Sequence, residues 1–262
     1  MITVTQGQIE IWLALFWWPF LRIFGLLLAD PFYSSRSIQV KVRVALAILL
    51  SILIGPLLPT LPTVPVVSPE GMLIALRELI IGISMGFVMR LIFSSVEMAG
   101  HLSGLQMGLG FASFYDPQNA SNSLVISQLM SLFMLLAFLS VGGHLVVLRV
   151  LIDSMVQLPL GSVRLSGGGF QLIANYGAII FRTGVLLALP VLAALLITNL
   201  AIGVMTRAAP QLNVFAVGFP LTLGVGFAAM YFSLPMLVPH IDQAISSYTR
   251  YIGQILVAFS QK

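Results

Sequence analysis

The sequence contains no cysteine and very few charged residues. Of its 262 residues, 8% are Asp, Glu, Lys or Arg and 59% are hydrophobic, whereas soluble domains carry roughly 25% charged residues. The lack of cysteine excludes disulfides, thiolate metal sites and cysteine nucleophiles. The basic residues are scattered singly near the ends of apolar runs, which is typical of interfacial anchors and excludes a nucleic-acid-binding patch.

Catalytic and metal-binding patterns are also missing from the sequence. The histidines at 101, 144 and 240 are far apart, and the eight carboxylates include no pair spaced to share a site on one helix. No sequence pattern supplies any serine with the general base that a serine nucleophile needs. We therefore predict that the protein is not an enzyme and that it has no catalytic residue, metal site or cofactor.

Long apolar runs make up most of the chain. Residues 117–148, 183–206 and 208–241 carry no charge, and each run exceeds the roughly 20 residues that cross a bilayer as a helix. We predict an all-α integral membrane protein with six apolar helical segments. These lie at residues 11–28, 44–58, 73–93, 124–148, 183–205 and 214–238.

Two interruptions divide these segments. Residues 55–69 contain five prolines, which remove backbone donors and disfavour helix at the preceding residue. Residues 157–169 include LPLGS and SGGG, and they separate a four-span N-terminal part from a two-span C-terminal hairpin. We predict a stiff connector outside lipid at the first interruption and a linker at the second.

Basic residues indicate the orientation only in part. Arg36, Lys41 and Arg43 fall between the first two spans, which places that loop in the cytoplasm. The same alternation leaves four basic residues on the outer side, at 149, 164, 182 and 250. Either a span is miscounted, or neighbouring proteins rather than lipid surround the helices.

The third span carries small and ionisable residues on one face. Glu78, Gly82, Gly86 and Arg90 recur every four residues, so they share one side of a helix. Ionisable groups within a span usually face protein or water because exposure to lipid is costly. We predict that Arg77 and Glu78 point inward, with a structural ion pair favoured over a role in ion passage.

A second face of small residues follows. After Glu97, the glycines Gly100, Gly104 and Gly108 are again four residues apart. Such small-xxx-small faces let helix backbones approach closely. We predict that both faces pack tightly against another element, and we favour assembly with other subunits, although monomeric transporters also carry such glycines.

The segment GFASFYDPQNASNS, residues 110–123, departs from the helical pattern. Phe111, Phe114 and Tyr115 stand between small residues and lead into Asp116-Pro117, a turn signal. From the residues alone, two interpretations remain. The aromatics anchor the chain at the membrane interface, or they belong to a loop folded into protein that obstructs a passage.

The stretch MTRAAPQLNVFAVGFPL, residues 205–221, interrupts two charge-free runs. Pro210 is expected to end the fifth span, so that a short polar turn reverses the chain into the sixth. The marked positions of this motif are Arg207, Pro210, Gln211, Asn213, Phe215, Gly218 and Pro220.

Residues 206–221 resemble the signature loop of the family of the flagellar biosynthetic protein FliR, which has homologues in virulence type III secretion. Glu97, the glycines that follow it and Asp116-Pro117 also resemble the central region of that family, and the first 90 residues match in general character. The ending G-F-P-L at 218–221 is closer to the flagellar branch. The resemblance therefore favours flagellar export.

The resemblance implies a structural subunit of the flagellar type III secretion export gate, in the bacterial inner membrane at the flagellar basal body. FliP, FliQ, FlhB and FlhA are the implied protein partners, membrane lipid the surroundings, and unfolded flagellar subunits the exported substrates. The alternatives are a homologous subunit of a virulence system and, less favoured, a secondary transporter, which would use interrupted helices.

The resemblance also implies a division of the chain and a plug. Residues 1–156 would be a FliP-like part, 157–169 the linker and 170–262 a FliQ-like helical hairpin. Gly110, Phe111, Phe114 and Tyr115 would form a hydrophobic plug in the closed pore. The motif at 207–220 would lie in a cytoplasmic loop.

Overall fold

The chain is built from α-helices, several of them longer than a membrane is thick. The structure is a computed structural model, and it describes residues 6–35, 37–58, 62, 64–111, 125–161, 165–211 and 214–260. The helices are α1 (Gln6–Ala29), α2 (Val40–Ile54), α3 (Pro69–Gln106), α4 (Val125–Ser140), α5 (Gly143–Gln157), α6 (Gly167–Tyr176), α7 (Ile179–Ala208), α8 (Val214–Ser233) and α9 (Leu237–Ser260). No strand occurs in the described residues, and the predicted all-α fold is confirmed.

Among the described residues, five helical stretches are long and apolar enough to span a membrane, or six if α4 and α5 form one broken span. The predicted number of spans is therefore confirmed. The five stretches are Glu10–Ala29, Val40–Leu57, Pro69–Gln106, Gly167–Ala208 and Ala216–Ser260.

The predicted ends of the spans differ from the observed helices, first at two places in the middle of the chain. The helix α3 continues to Gln106, well past the predicted end at 93, because scattered polar and glycine residues lower hydropathy without breaking backbone hydrogen bonds. The predicted span 124–148 is interrupted at Gly142, whose φ of +74° separates α4 from α5. Glycine adopts this left-handed conformation at little cost.

The proline-rich connector ends where α3 begins. Ser68 Oγ accepts the N–H of Gly71 at 2.9 Å, which caps α3. Pro69 is the first helical residue, where its missing N–H has no cost, and Glu70 in the first turn favours the positive end of the helix dipole. The predicted extended connector, residues 55–69, is therefore wrong at both ends: Gly55–Leu57 form a 3-10 turn, and Pro69 belongs to α3.

The loop between α1 and α2 is held by its own polar side chains. Asp30 Oδ1 accepts the N–H groups of Phe32 and Tyr33 at 2.9 and 3.1 Å.

Arg43, at the start of α2, binds the same loop. Its Nη2 donates to the carbonyl oxygens of Ser34, Ser35 and Ile38, at 2.9, 2.7 and 3.0 Å. Arg43 thus holds this loop together, and its predicted role as an interfacial anchor stays a prediction. Arg36 lies outside the described residues.

One compact unit of the fold consists of Met1–Leu91, Gly142–Gly177 and Ile245–Lys262. In it α1 packs along α2 and approaches α3 closely. A Cβ atom on Gly25 would lie 2.6 Å from a backbone oxygen of α3, one on Gly86 would lie 2.6 Å from Asp30 N, and one on Gly82 would meet the Arg22 carbonyl. The glycines therefore let the two backbones touch.

The C-terminal half of α9 completes this unit. Its buried residues lie three or four apart on one face: Ile245, Tyr248, Ile252, Ile255, Leu256 and Phe259. The Phe259 ring occupies the space beside Gly169 of α6 and packs edge-on against Phe170, with ring centres 5.1 Å apart. The predicted last span ended at 238 because the polar opposite face of α9 hides this helical periodicity from hydropathy.

The other compact unit consists of Ile92–Val141 and Ala178–Ala244. The helices α7 and α8 pack along each other and form an antiparallel hairpin across residues 209–213. The end of α3 meets α4 at Gly100, where a Cβ would lie 2.7 Å from Ser127 Cα, and it meets α7 at Gly184, where a Cβ would lie 2.9 Å from the Met98 side chain.

Both units draw on residues from before and after the predicted linker. The helix α5 ends at Gln157 and α6 begins at Gly167, so helix is interrupted in that stretch, and residues 162–164 lie outside the described residues. The division into a FliP-like part, 1–156, and a FliQ-like hairpin, 170–262, concerns similarity to other subunits. It stays a prediction.

Candidate functional site

A buried ion pair joins α1 to α3. Arg22 Nε donates to Glu78 Oε2 at 2.6 Å, and the two side chains are 0% and 2% exposed. The guanidinium also donates to the last turn of α5, from Nη1 to Ser154 O at 2.9 Å and from Nη2 to Leu158 O at 3.0 Å. Glu78 Oε1 accepts the N–H of Gly161 at 3.2 Å. Both charged groups therefore have several polar partners.

This network has a structural role. Burying two charges costs several kcal/mol per ion, and the cost is offset only when good geometry and further hydrogen bonds satisfy both groups. The carbonyls at the end of α5 carry the negative end of its dipole, and the planar fork of an arginine can reach a carboxylate and two carbonyls together. The network thus fixes α1, α3 and α5 against one another.

The prediction for Glu78 is confirmed, since it points inward into a structural ion pair. Arg77 is half-buried and takes no part in this network, because adjacent helix positions point about 100° apart. Arg90 is exposed. Arg22 was not predicted, although a charged residue inside the first apolar span signals a buried partner.

A second buried acid lies where α1 ends. Asp30 is 0% exposed, and its Oδ2 has no hydrogen-bond partner among the described residues, as is also true of the Tyr248 hydroxyl. Burial raises the pKa of Asp30 to about 7, although backbone N–H donors and the charge of Arg90 act in the opposite direction. This carboxyl therefore changes its charge near neutral pH.

The other predicted packing residues lie in both units. Gly82 and Gly86 contact α1, and Gly100 contacts α4 of the same chain. Gly104 is buried and Glu97 is exposed. The intrachain contacts explain the first three glycines, while Gly108 follows the end of α3 and so does not share the predicted helical face. A part for any of the seven predicted packing residues, which also include Glu78, in contact with another subunit stays a prediction.

The chain turns sharply after α3, just before the predicted plug. Met107 is 0% exposed, and its N–H donates to Ser103 O at 3.0 Å, which extends the helical bonding by one residue. Gly108 then takes a φ of +88°, which other residues rarely adopt. A 3-10 turn, Leu109–Phe111, follows.

The plug itself is only partly described. Gly110 and the backbone of Phe111 lie in the 3-10 turn. The Phe111 ring, Phe114 and Tyr115 lie outside the described residues. The plug therefore stays a prediction. The structure describes only where this segment begins, at the 3-10 turn that follows Gly108.

The motif at 205–221 covers the turn from α7 to α8. The helix α7 ends at Ala208, and the N–H of Ala209 donates to Met205 O at 2.9 Å. Pro210 cannot continue the helix, as predicted. Arg207, Pro210 and Gln211 are exposed, Gly218 is buried and Pro220 lies within α8, while Asn213 and the Phe215 ring lie outside the described residues.

The unit formed by Ile92–Val141 and Ala178–Ala244 contains one small cavity of note. Its volume is about 100 Å³, and its polar lining groups are Ser103, Ser233 and His240. Small-molecule sites measure roughly 300–1,000 Å³, so this cavity is too small for a typical substrate. Within the described residues, no three His, Asp or Glu side chains come together as metal ligands.

Comparison with known proteins identifies the family. Residues 13–248 match the family of bacterial export proteins, family 1. The chain belongs to this family. It is 39% identical over 256 residues to the flagellar biosynthetic protein FliR of Escherichia coli (strain K12), with 98% of each chain covered. It is 36% identical over 260 residues to FliR of Pectobacterium carotovorum subsp. carotovorum, with 99% of each covered.

More distant bacteria contain similar export proteins. The FliR protein of Aquifex aeolicus (strain VF5) is 35% identical over 237 residues, with 90% of each chain covered. The predicted family is therefore confirmed. Bacterial export proteins of this family are structural components of flagellar export rather than enzymes, and the apolar helices are those of a membrane protein.

Proposed function

We propose that this chain is a structural subunit of the flagellar type III secretion export gate and forms, with FliP and FliQ, the channel for unfolded flagellar subunits. The observation that supports this most is the similarity, over nearly the whole length, to proteins named flagellar biosynthetic protein FliR. The flagellar name of these relatives favours the flagellar gate over its virulence counterpart. The subunit lies in the inner membrane at the flagellar basal body, beside FlhB and FlhA.

The exposed apolar surface of α3 supports an assembly. Exposed apolar side chains recur on this helix from Met72, 67% exposed, to Phe87, 42% exposed, and again at Leu105, 49% exposed. Arg90 and Glu97, which lie between them, are also exposed. Charged side chains within a span usually face protein or water, so this part of α3 favours a protein neighbour over lipid.

The buried charges favour a gate subunit over a secondary transporter. A transport site needs groups that can exchange their partners for a solute or an ion. Arg22 and Glu78 instead bind each other and backbone groups of the same unit. The small cavity beside Ser103 and His240 likewise offers no room for a sizeable solute.

The plug closes this channel in our proposal. A passage wide enough for an unfolded chain would leak ions, and bulky apolar rings close such a passage by excluding water. Phe111 and Phe114 supply the rings. The sharp turn at Gly108 directs the chain away from the axis of α3 immediately before this segment.

Co-expression tests the assembly. Native mass spectrometry of the chain produced together with FliP and FliQ is expected to show a hetero-oligomer that contains all three. The chain produced alone serves as the control, and it should be recovered poorly. Purification of the chain alone as a stable, working solute carrier would contradict the proposal.

Deletion of residues 110–114 tests the plug. The deletion is expected to raise ion conductance across membranes that contain the complex, because it removes both rings. Replacing Phe111 and Phe114 by Leu is the control and should keep the channel closed, since leucine is also apolar and bulky. Unchanged conductance in the deletion, at a normal level of complex, would contradict a plug.

A further inference from the structure

Met107 is the last fully buried side chain before the predicted plug. It is fully buried although it follows the final residue of α3. Its carbonyl oxygen lies 3.3 Å from the Thr222 hydroxyl of α8, which shares its hydrogen between Met107 O and Phe219 O, the latter at 3.0 Å. Both residues belong to the unit Ile92–Val141 and Ala178–Ala244, so the contact lies within one compact body.

A glycine on the same face of α8 receives the Met107 side chain. Gly226 is four residues after Thr222, so the two share one side of the helix. A Cβ atom on Gly226 would lie 2.5 Å from Met107 Cε and 2.7 Å from Cγ. The thioether therefore rests directly on the backbone of α8, in a position that any larger residue at 226 would occupy.

The two contacts restrain a flexible side chain at an important point. Methionine has three rotatable side-chain bonds and fills irregular gaps, so its position depends on the surface that receives it. Here α8 holds both the carbonyl and the thioether. The next residue, Gly108, has a φ of +88°, and the 3-10 turn Leu109–Phe111 follows, so the predicted plug begins directly after this contact.

We propose that Met107 is a positioning residue for the plug, and that Thr222 and Gly226 of α8 form the seat that fixes where the plug begins. The inference rests on the proposed function. The position of α8 then determines where residues 110–115 start, and a change at Gly226 acts on the pore without touching a plug residue.

The test enlarges the residue at position 226, shrinks the residue at position 107, and then combines the two changes. Ion conductance is measured for each variant in the complex co-expressed with FliP and FliQ. Gly226→Val is expected to displace Met107 and raise ion conductance to a large fraction of that of the 110–114 deletion. Met107→Ala alone should also raise it, because the seat is left unfilled. The double variant should return conductance toward the unsubstituted level, since valine occupies the space that the methionine leaves.

Gly224→Val is the matched control, because a Cβ atom on Gly224 meets nothing within 4 Å. It adds the same side chain to the same helix and should leave conductance unchanged. Co-purified FliP and FliQ report the level of complex for every variant. If Gly226→Val does not assemble, Gly226→Ala and Gly224→Ala replace the valine pair.

The outcomes separate this inference from the proposed function. A leak at Gly226→Val that the Met107→Ala exchange repairs would support the seat. If the 110–114 deletion leaks while the assembled position-226 variant does not, the seat is wrong and the plug is retained. If the deletion itself does not leak, the proposed plug is wrong.

Discussion

The helices α3 and α7 are both long and apolar, yet the chain buries them very differently. In α3, 61% of the most apolar stretch is buried inside the chain, whereas 17% is buried in Gly167–Ala208, which contains α7. The less buried stretch, Gly167–Ala208, is nevertheless the more hydrophobic of the two. Hydrophobicity therefore does not decide which helix the chain buries.

Close-approach glycines and paired charges account for the difference. The helix α3 touches α1 through Gly25, Gly82 and Gly86 and binds it through Glu78. By contrast, α7 approaches α3 closely at one glycine, Gly184, packs along α8 and leaves a broad apolar face exposed, with Leu200 at 71%. Where helices lie in lipid, small residues and polar links specify the contact, and a smooth apolar face remains for lipid or another subunit.

The largest expected effect comes from breaking the buried ion pair. Arg22→Met should cost about 3–5 kcal/mol of unfolding free energy, because it leaves the Glu78 carboxylate buried and uncompensated. Thermal unfolding of the purified complex and the level of chain in the membrane measure the loss.

The chain offers a matched control for this experiment. Arg149 and Asp153 form an ion pair at 3.9 Å with side chains 84% and 54% exposed, and water screens such a pair. Arg149→Met should leave the unfolding temperature unchanged. Equal losses in Arg22→Met and Arg149→Met would mean that burial does not set the strength of these pairs.

The next effect concerns Asp30, the second buried charge of the contact between α1 and α3. Burial raises its pKa from 3.8 to about 7, so between about pH 4 and pH 7 the folded chain keeps a proton that the unfolded chain releases. The unfolding free energy should fall by a few kcal/mol, in order of magnitude, as pH rises through this range. Unfolding temperatures at pH 5 and pH 8 measure the fall.

Asp30→Asn should remove this pH dependence, because an amide stays neutral at both pH values. Asp242→Asn changes an exposed acid and should keep the pH dependence of the unsubstituted chain. An unchanged fall in stability in Asp30→Asn would show that another group is responsible.

A smaller effect on stability is expected from replacing glycines by alanine, and its sign should differ between α3 and α7. Gly82→Ala should cost about 1–3 kcal/mol, because its Cβ would meet the Arg22 carbonyl and force α1 away from α3. Gly203→Ala in α7 meets nothing within 4 Å and should gain up to about 1 kcal/mol of helix propensity. Unfolding temperatures of the two variants should therefore move in opposite directions.

The smallest effect on the chain is expected at the turn between α7 and α8. Replacing Gln211 and Asn213 by Ala should leave chain stability unchanged, since Gln211 is exposed. We propose that this exposed turn is a docking surface for other subunits of the gate, so complex assembly and flagellar export should fall. Normal assembly and normal export in the double variant would mean that any turn serves there.

Part of the α1–α3 contact could be predicted and part could not. The four-residue spacing of Glu78, Gly82, Gly86 and Arg90 predicted one inward face that packs closely. The first three residues lie against α1, whereas Arg90 is exposed. The partner of Glu78 was not predicted, because Arg22 lies 56 positions away and no local pattern joins the two residues. The carbonyl groups at the end of α5 could not be predicted either, since backbone acceptors carry no sequence signal.

The contact of Met107 with Thr222 and Gly226 could not be predicted from sequence patterns either. A methionine at a helix end and a glycine within an apolar helix are each ordinary, and only their close approach in space gives them meaning. The predicted span ends failed for a related reason, because hydropathy measures composition and not where backbone hydrogen bonding stops.

The sequence by itself determined that this chain is helical, lies in a membrane and belongs to the bacterial export proteins, because composition, run length and a local motif are properties of consecutive residues. Tertiary structure alone decided which apolar helix the chain covers, which arginine neutralises Glu78 and what holds Met107. These depend on backbones that approach to within a few ångströms after the chain has folded back on itself, and that distance is not encoded by neighbouring residues.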